Sequence, residues 1–231
     1  MNVIYSQHLQ SVDAVIHGFG VGSIDLETHL KTRDIQNYTS FNTDQLHGRR
    51  VHVLTDKQDE GILYGDVFIT DRPNVICHVR TADCVPILIA DRHRKAVAAV
   101  HAGWRGTGLD VVGETIRQMK VSFGTDPGDC IAAIGPRICG KCYEVGAEVI
   151  QALEELNIDD EWKAAKRSVD LGVANKLLLM KAGVPRKNID MLAHCTCCNE
   201  RFISWRRDCD KNKRQVNFIL LNEYCATHQQ L

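Results

Sequence analysis

Residues 74–107 read NVICHVRTADCVPILIADRHRKAVAAVHAGWRGT, and this stretch decides the fold. Three apolar runs rich in β-branched residues, at 74–79, 85–90 and 95–100, predict three strands. Cys84 stands directly before the second run, and His101 directly follows the third. The sequence therefore places a soft metal ligand at two points where the chain passes between a strand and a loop.

A helix is predicted directly after these strands, over residues 107–120. Thr107 is suited to cap its start. Apolar residues at steps of three or four form one stripe along it, which consists of Leu109, Val112, Ile116 and Met119.

The rest of the chain mixes strands and helices without a strict alternation. Strands are predicted at residues 14–16, 51–54, 65–70, 131–134, 189–195 and 216–221. Helices are predicted at residues 144–156 and 168–182. This order favours an α+β fold, with mixed sheets packed against helices, over a doubly wound parallel sheet. Because no Pro-, Ser- or Gly-rich linker interrupts the chain, we predict one domain over residues 1–231.

The composition of the 231 residues argues against several functional classes. A net charge of −1 gives no electrostatic footprint for nucleic acid or an anionic membrane surface. The first residues lack the pattern of a signal peptide, and no window approaches about 18 consecutive apolar residues. We therefore expect a soluble, cytoplasmic protein that binds neither nucleic acid nor a membrane. The oligomeric state stays open.

Cys84, His101 and His47 together offer one thiolate and two imidazoles. Three protein ligands, with a fourth position left for water or substrate, are typical of catalytic zinc. Spacing adds no metal signal, since His47 lies 37 residues before Cys84 and His101 lies 17 after it. Cys84 is alternatively a buried structural cysteine or a nucleophile. Asp83, its neighbour, is a candidate to orient groups in the site or to support a ligand by a hydrogen bond.

Residues near the predicted helix start are candidates for binding an anion or a base. Arg105 precedes the helix, and an arginine beside the N–H groups of a helix start suits a phosphate. Trp104 offers a flat face for a heterocycle. Arg207, after the apolar stretch 202–205, is a second phosphate candidate. Each also has a structural interpretation, as a surface cation, a core aromatic residue or a salt-bridged strand end.

The chain contains ten cysteines, which require an explanation of their own. Reduced thiols and metal ligands are expected rather than disulfides in a chain without a secretion signal. Two groups, 52 residues apart, are candidates for a second, structural zinc site, although this separation exceeds that of a compact zinc ribbon. Their cysteines are Cys139, Cys142, Cys195, Cys197 and Cys198. The alternatives are free thiols without a metal and, less in keeping with an intracellular chain, a disulfide.

Several segments of the chain resemble the YfiH-like family, also called laccase-domain or multicopper polyphenol oxidase-like proteins. The blocks DCVP at 83–86 and HAGWRG at 101–106 are very specific in combination. Further matching segments are residues 45–48, 65–67, 81–82, 98–100, 107, 134–138, 142–146, 169–171 and 202–208. The segment before residue 45 is shorter than is usual in the family, and Asn42 is what remains of its Asn-containing pattern.

The resemblance implies a layered α+β sandwich and a metal, usually zinc with copper as an alternative, held by His47, Cys84 and His101. It also implies purine nucleoside phosphorylase activity on adenosine and inosine, with a nucleoside and phosphate as partners. Methylthioadenosine phosphorolysis and adenosine deamination are related activities. On this basis we predict catalytic and substrate-binding residues. The catalytic set is Cys84, Asp83 and Arg105, and the substrate-binding set is Asn42, Trp104 and Arg207.

Two other functions stay open at this point. Copper-dependent polyphenol oxidation fits a type-1 copper site made of two histidines and one cysteine. However, the ten histidines include no His-x-His pair for a trinuclear copper cluster. A non-enzymatic metal-binding module is the second alternative. Deamination normally requires a glutamate beside the metal, and the sequence does not identify one.

Overall fold

The structure is a computed structural model that describes residues 2–33, 35, 37–55, 61–93 and 95–222. Its strands are β1 (Val3–Ile4), β2 (Val15–Gly20), β3 (Asn42–Asp44), β4 (Val51–Val53), β5 (Ile62–Tyr64), β6 (Val67–Thr70), β7 (Cys77–Thr81), β8 (Val85–Asp91), β9 (Val97–Ala102), β10 (Cys130–Ile134), β11 (Lys163–Ala165), β12 (Ser168–Val169), β13 (Ile189–Met191) and β14 (Gln215–Leu221). Its α-helices are α1 (Gln7–Gln10), α2 (Leu26–Lys31), α3 (Trp104–Gly108), α4 (Val111–Phe123), α5 (Ala147–Glu154), α6 (Leu171–Lys181) and α7 (Trp205–Asp208).

Two larger sheets form the centre of the described fold. The six-stranded sheet has the order β13-β10-β8-β9-β6-β4, and the four-stranded sheet has the order β1-β2-β14-β7. The four strands from β10 to β6 run antiparallel to their neighbours, whereas β13 and β4 pair in parallel at the two edges. Mixed sheets with intervening helices confirm the predicted α+β class.

The sheets and helices stack in four layers. Apolar side chains of both sheets share one core, whereas α4, α5 and α6 cover the other face of the six-stranded sheet. Helix α2 packs on the outer face of the four-stranded sheet. Along β9, Val97 and Ala99 face the second sheet, and Ala98 and Val100 face the helices. Because both faces of this strand are buried, every position on it except His101 is apolar.

The central strands bring Cys84 and His101 to the same end of the six-stranded sheet. Strands β8 and β9 pair antiparallel with Pro86 opposite His101 and Val85 opposite Ala102. The residue before β8 and the end of β9 are therefore neighbours. The three predicted strands of residues 74–100 are confirmed, but β9 runs two residues further than predicted and includes His101.

The single helix predicted over 107–120 is wrong in its start. Helix α3 begins at Trp104, and α4 begins after a break at Asp110, whose carboxylate accepts the N–H of Gly113 at 3.0 Å. Thr107 lies inside α3 instead of capping a helix, and Leu109 is 49% exposed in the break. The other members of the predicted stripe are buried, as expected. The missed break arises because Asp110 adopts a left-handed conformation, which the apolar spacing did not reveal.

Among the described residues, no helix combines the length and the apolar character that crossing a bilayer requires. The assignment of residues 1–231 to one domain stays a prediction.

Candidate active site

The structure brings the three predicted metal ligands together. One ligand atom each from His47, Cys84 and His101 lies within 4.8 Å of the other two. The two imidazole rings are almost perpendicular, at 82°, with their centres 4.7 Å apart. His47 belongs to the loop between β3 and β4 and has a positive φ of 56°, which turns the chain sharply there. Residues far apart in sequence thus meet at one point.

Asp66, directly before β6, supports two of these ligands. Its Oδ1 lies 2.8 Å from Nδ1 of His101 and also accepts the backbone N–H of His47 at 2.9 Å, while Oδ2 accepts the N–H of Gly48 at 2.8 Å. Burial by itself would raise the pKa of Asp66, but the hydrogen bonds from His101 and Gly48 hold this pKa below its ordinary value. The ionised carboxylate accepts from Nδ1 and leaves Nε2 of His101 available to bind a metal.

Cys84 and His101 form a charged pair without a metal. Burial alone would raise the pKa of the Cys84 thiol, but His101 and His47 outweigh burial and lower it to about 6. Burial alone would lower the pKa of His101, but Cys84 and Asp66 raise it to about 9. Near neutral pH the site therefore holds a thiolate beside an imidazolium.

The donor set and the space around it fit a soft divalent ion. Thiolate and imidazole donors suit zinc or copper, and three such ligands leave one coordination position open. Gly103 provides the room, because a Cβ atom there would lie 3.2 Å from Nδ1 of His47 and 3.3 Å from Sγ of Cys84. We conclude that these residues can hold a metal ion.

A cavity of about 690 Å³ opens onto the three ligands. This volume lies in the usual range for small-molecule sites. Three cations and one indole line it, and sequence reasoning did not identify these residues. Its lining residues other than the ligands are Asp44, Gln45, Arg80, Ala82, Trp205, Lys211, Asn212 and Arg214. Trp205 had one available signal, since it lies in the 202–208 segment that carried the family resemblance.

Arg105, Trp104 and Asn42 are not among the described residues that line this cavity. The guanidinium carbon of Arg105 lies 4.3 Å from the ring centre of Trp104, and Trp104 packs on the core between helices and sheet. In the structure these two side chains pack on each other at α3, and their catalytic and base-binding roles stay predictions. Asn42 is exposed on β3, two residues from the cavity residue Asp44, and its role stays a prediction.

Arg207 is occupied by internal hydrogen bonds, and its contact with substrate stays a prediction. Its Nε and one Nη2 proton bind the carboxylate of Asp208, both at 2.7 Å. Its other donors reach the backbone oxygens of Thr196, Cys197 and Phe202 at 2.9, 3.2 and 2.8 Å. Since all five guanidinium N–H groups have partners, Arg207 braces the 196–202 loop.

Asp83 is also occupied by internal contacts, so the geometry favours its structural role over catalysis. Its carboxylate accepts from Thr196 Oγ1 at 2.6 Å, Ser204 Oγ at 3.1 Å and the N–H of Arg206 at 2.6 Å. Its backbone oxygen accepts the N–H of Ile138 at 3.0 Å. Asp83 therefore ties the loop after β10, the loop after β13 and the start of α7 to the turn that carries the neighbouring cysteine.

Four of the five cysteines proposed for a second site also converge. The Sγ atoms of Cys139, Cys142, Cys195 and Cys198 all lie within 4.8 Å of one another, and Cys197 is outside this set.

Fold and site together define a class: a layered α+β protein with a candidate centre of two histidines and one cysteine that opens onto a polar cavity. A family model described as "Multi-copper polyphenol oxidoreductase laccase" matches residues 26–222. The chain belongs to this family.

The chain is similar in sequence to named enzymes and in structure to a solved protein. It is 34% identical over 177 residues to a "Purine nucleoside phosphorylase" of Bacteroides thetaiotaomicron, a match that covers 73% of this chain and 66% of that protein. It is 37% identical over 178 residues to "Adenosine deaminase RL5" of an unknown prokaryotic organism, covering 71% of this chain and 68% of the relative. The crystal structure of YlmD from Geobacillus stearothermophilus superposes with a TM-score of 0.82 at 25% identity, covering 94% of each chain.

Proposed function

We propose that this protein is a zinc-dependent purine nucleoside phosphorylase that converts adenosine or inosine and phosphate into the free base and ribose 1-phosphate. One observation carries the proposal: the cluster of His47, Cys84 and His101 opens onto a cavity lined by Arg80, Lys211 and Arg214. The name of the Bacteroides relative supports the same reaction class.

Arg80, Lys211 and Arg214 are the groups suited to hold phosphate. Nη2 of Arg80 is anchored on the backbone oxygen of Thr43 at 2.7 Å, so its guanidinium is positioned before an anion arrives. Nη1 of Arg214 is held similarly by the backbone oxygen of Lys213 at 2.6 Å. Charge-assisted hydrogen bonds from oriented arginines suit a phosphate dianion better than net charge does. They take the role that the sequence suggested for Arg105 and Arg207.

Trp205 is the group suited to bind the purine. Trp205 is 40% exposed and lines the cavity, so its indole is accessible for contact with a base. Asp44 lines the same cavity and can accept hydrogen bonds from ribose hydroxyls. In the reaction, a phosphate oxygen forms the bond to C1′ while the bond from C1′ to the purine nitrogen breaks. The electron pair of that bond goes to the purine, which takes up a proton.

The protein contributes chiefly by positioning and charge. A bound zinc ion would supply Lewis acidity at the open coordination position. Asp66 accepts from Nδ1 of His101 and so holds the ring in the orientation that directs Nε2 to a metal ion. Because positive charge develops on the ribose in the transition state, a phosphate fixed beside C1′ stabilises it. Methylthioadenosine has the same reacting bond and is proposed as a further substrate.

Deamination of adenosine is a second candidate, because a 37% identical relative carries that name. The reaction needs a general acid and base beside an activated water. No glutamate is among the described residues that line the cavity, so Asp44 is the carboxylate available there. We propose phosphorolysis as the main reaction and deamination as a side activity of the same site.

Copper-dependent phenol oxidation is not proposed, despite the family's name. The ligand set could hold one type-1 copper, but a laccase also needs a trinuclear cluster bound by histidines. Among the described residues, the other group of clustered soft ligands consists of four cysteines and contains no histidine.

Release of hypoxanthine from inosine tests the proposal. We expect release only with phosphate present, together with an equal amount of ribose 1-phosphate, both measured by liquid chromatography and mass spectrometry. Cys84→Ala should lose this turnover and its share of bound zinc, whereas Cys197→Ser should retain both. Inosine or ammonia release from adenosine without phosphate would instead favour deamination. Turnover of neither kind, with metal bound, would favour a binding module.

A further inference from the structure

The second cysteine cluster is built by two loops that leave neighbouring strands at the same edge. Strands β10 and β13 pair in parallel, so the segments that follow them run side by side. The pairing continues beyond the strands, where the N–H of Arg137 donates to His194 O at 3.2 Å and that of Thr196 to Arg137 O at 3.0 Å. The fold thus closes the gap that separates two Cys-x-x-Cys motifs in the sequence.

Backbone hydrogen bonds support one of the four sulfurs and the turn of the first motif. Sγ of Cys195 accepts the backbone N–H groups of Cys139 at 3.3 Å and of Cys198 at 3.4 Å. Within the first motif, the N–H groups of Cys142 and Tyr143 both donate to the backbone oxygen of Cys139, at 3.0 and 3.1 Å, and tighten the turn. The two N–H groups that donate to Sγ of Cys195 stabilise its thiolate, which is the form that binds a metal.

We propose that Cys139, Cys142, Cys195 and Cys198 hold a single tetrahedral zinc ion, which forms a structural centre separate from the site at Cys84. A zinc–sulfur bond of about 2.3 Å puts the sulfurs of a tetrahedral site about 3.8 Å apart. The four sulfurs lie within 4.8 Å of one another, which fits one ion and leaves no room for several irons with bridging sulfides. Four protein ligands close the coordination shell, so this centre is structural instead of catalytic.

The surroundings compensate for the charge of four thiolates. Arg137 is buried, and its Nη1 donates to the backbone oxygens of Gly135 at 3.3 Å and Leu192 at 3.0 Å. Its Nε lies 3.7 Å from Oδ1 of Asp170. A buried cation beside the cluster offsets part of its negative charge.

The loops that carry these four cysteines also hold Asp83, which precedes the proposed ligand Cys84. Thr196, inside the second motif, donates to Asp83 at 2.6 Å, and Ile138, beside the first motif, donates to the backbone oxygen of Asp83. Nη1 of Arg206 reaches the backbone oxygen of Cys142 at 3.4 Å. The bound ion would therefore hold together the loops that fix Asp83, which precedes the ligand Cys84. This role does not depend on the phosphorylase activity.

A disulfide between Cys142 and Cys198 is the competing interpretation. Their Sγ atoms lie 3.2 Å apart, which is well beyond a sulfur–sulfur bond of about 2.05 Å. If Cys142 and Cys198 formed a disulfide, only Cys139 and Cys195 would remain as thiols, and two thiols do not make a four-ligand site.

Metal analysis of matched variants tests the proposal. Wild-type protein purified without chelators should carry about two zinc ions per chain, and Cys84→Ala and Cys142→Ser/Cys198→Ser about one each. The control Cys197→Ser, which changes a cysteine of the same loop outside the cluster, should keep both. If the site at Cys84 binds no metal, the wild type should carry about one zinc ion and the double variant none. The proposed zinc site of the four cysteines can therefore fail or hold independently of the proposed metal site at Cys84. Equal zinc content in wild type and the double variant overturns the proposal.

Cobalt provides a test that does not rely on folding of the double variant. Cys84→Ala reconstituted with Co²⁺ should show the intense visible and near-ultraviolet absorption of tetrahedral cobalt bound by four thiolates. Its thermal midpoint should fall when the ion is removed by a chelator and recover when zinc is returned. Absence of that absorption, or an intact mass lower by two hydrogens without bound metal, overturns the proposal in favour of free thiols or a disulfide.

Discussion

Oδ1 of Asp66 lies 2.8 Å from Nδ1 of His101, and both side chains are buried. This contact sets which nitrogen of His101 faces the cavity and links the start of β6 to the end of β9. Because the same carboxylate also accepts backbone N–H groups of residues 47 and 48, one acidic residue positions two of the three proposed ligands.

Asp66→Asn should weaken metal binding by about 10- to 100-fold. The amide keeps the shape of the side chain but loses the charged acceptor that orients His101 and keeps a proton on its Nδ1, which leaves Nε2 for the metal. Competition with a chromogenic zinc chelator measures the affinity. Asp71→Asn, a change at an exposed carboxylate, is the control. Equal affinities for the two variants would contradict the role assigned to Asp66.

Gly103→Ala should lower metal affinity about tenfold. The backbone φ of −75° accepts alanine, so the effect arises from the new Cβ atom against His47 and Cys84. Gly128→Ala is a matched control, because its Cβ atom would meet Asp126 at the same 3.2 Å, with Asp126 outside the metal cluster and the cavity lining. A Gly103→Ala protein with wild-type metal affinity would argue against an ion between these ligands.

Metal binding should release protons in a pH-dependent way. Because the pKa is about 6 for Cys84 and about 9 for His101, Cys84 is a thiolate and His101 is protonated between pH 6 and pH 9. The proton in the way of a metal ion is then the one on Nε2 of His101. A metal ion displaces it, so about one proton should leave the pair per ion near pH 7.5. The number should approach two below pH 6 and zero above pH 9. Calorimetry in buffers of different ionisation enthalpy measures it, with Cys142→Ser/Cys198→Ser as the protein to isolate this site.

Arg80→Gln should raise the KM for phosphate about tenfold, with a smaller effect on kcat. The reason is the loss of an oriented cation that lines the cavity. Arg49→Gln removes an exposed cation from a different surface depression and should leave the KM unchanged. Initial rates at varied phosphate concentration distinguish the two, and a similar KM for both variants would remove Arg80 from the phosphate site.

Asp83→Asn should reduce the free energy of unfolding by about 2 to 4 kcal/mol. Asparagine tolerates the positive φ of 86° at this position, but it cannot accept from Thr196, Ser204 and Arg206 as a carboxylate does. Denaturant unfolding of this variant and of the exposed control Asp13→Asn measures the loss. An unchanged free energy of unfolding would show that the segments around Thr196, Ser204 and Arg206 do not depend on Asp83.

Much of the fold was predictable because local patterns carried it. The apolar runs at 85–90 and 95–100 became the two central strands, and the set His47, Cys84 and His101 was identified from residue type and resemblance. The roles of Arg207 and Asp83 were not predictable in the same way. Asp83 accepts from groups near residues 196–206, far away in sequence, and Arg207 is held by backbone oxygens of the irregular 196–202 loop; no local pattern records such partners.

The sequence by itself determined where the central strands lie and which side chains can ligate a metal, since both follow from residue type and pattern. Only the tertiary structure decided that Asp66 supports His101, that Trp205 rather than Trp104 faces the cavity, and that four cysteines from two motifs meet. The physical reason is that the register of β6 with β9 places Asp66 beside His101, that of β10 with β13 brings the cysteine motifs together, and Asp83 holds the start of α7, where Trp205 lies. Register depends on pairing across long chain separations, which a local pattern does not specify.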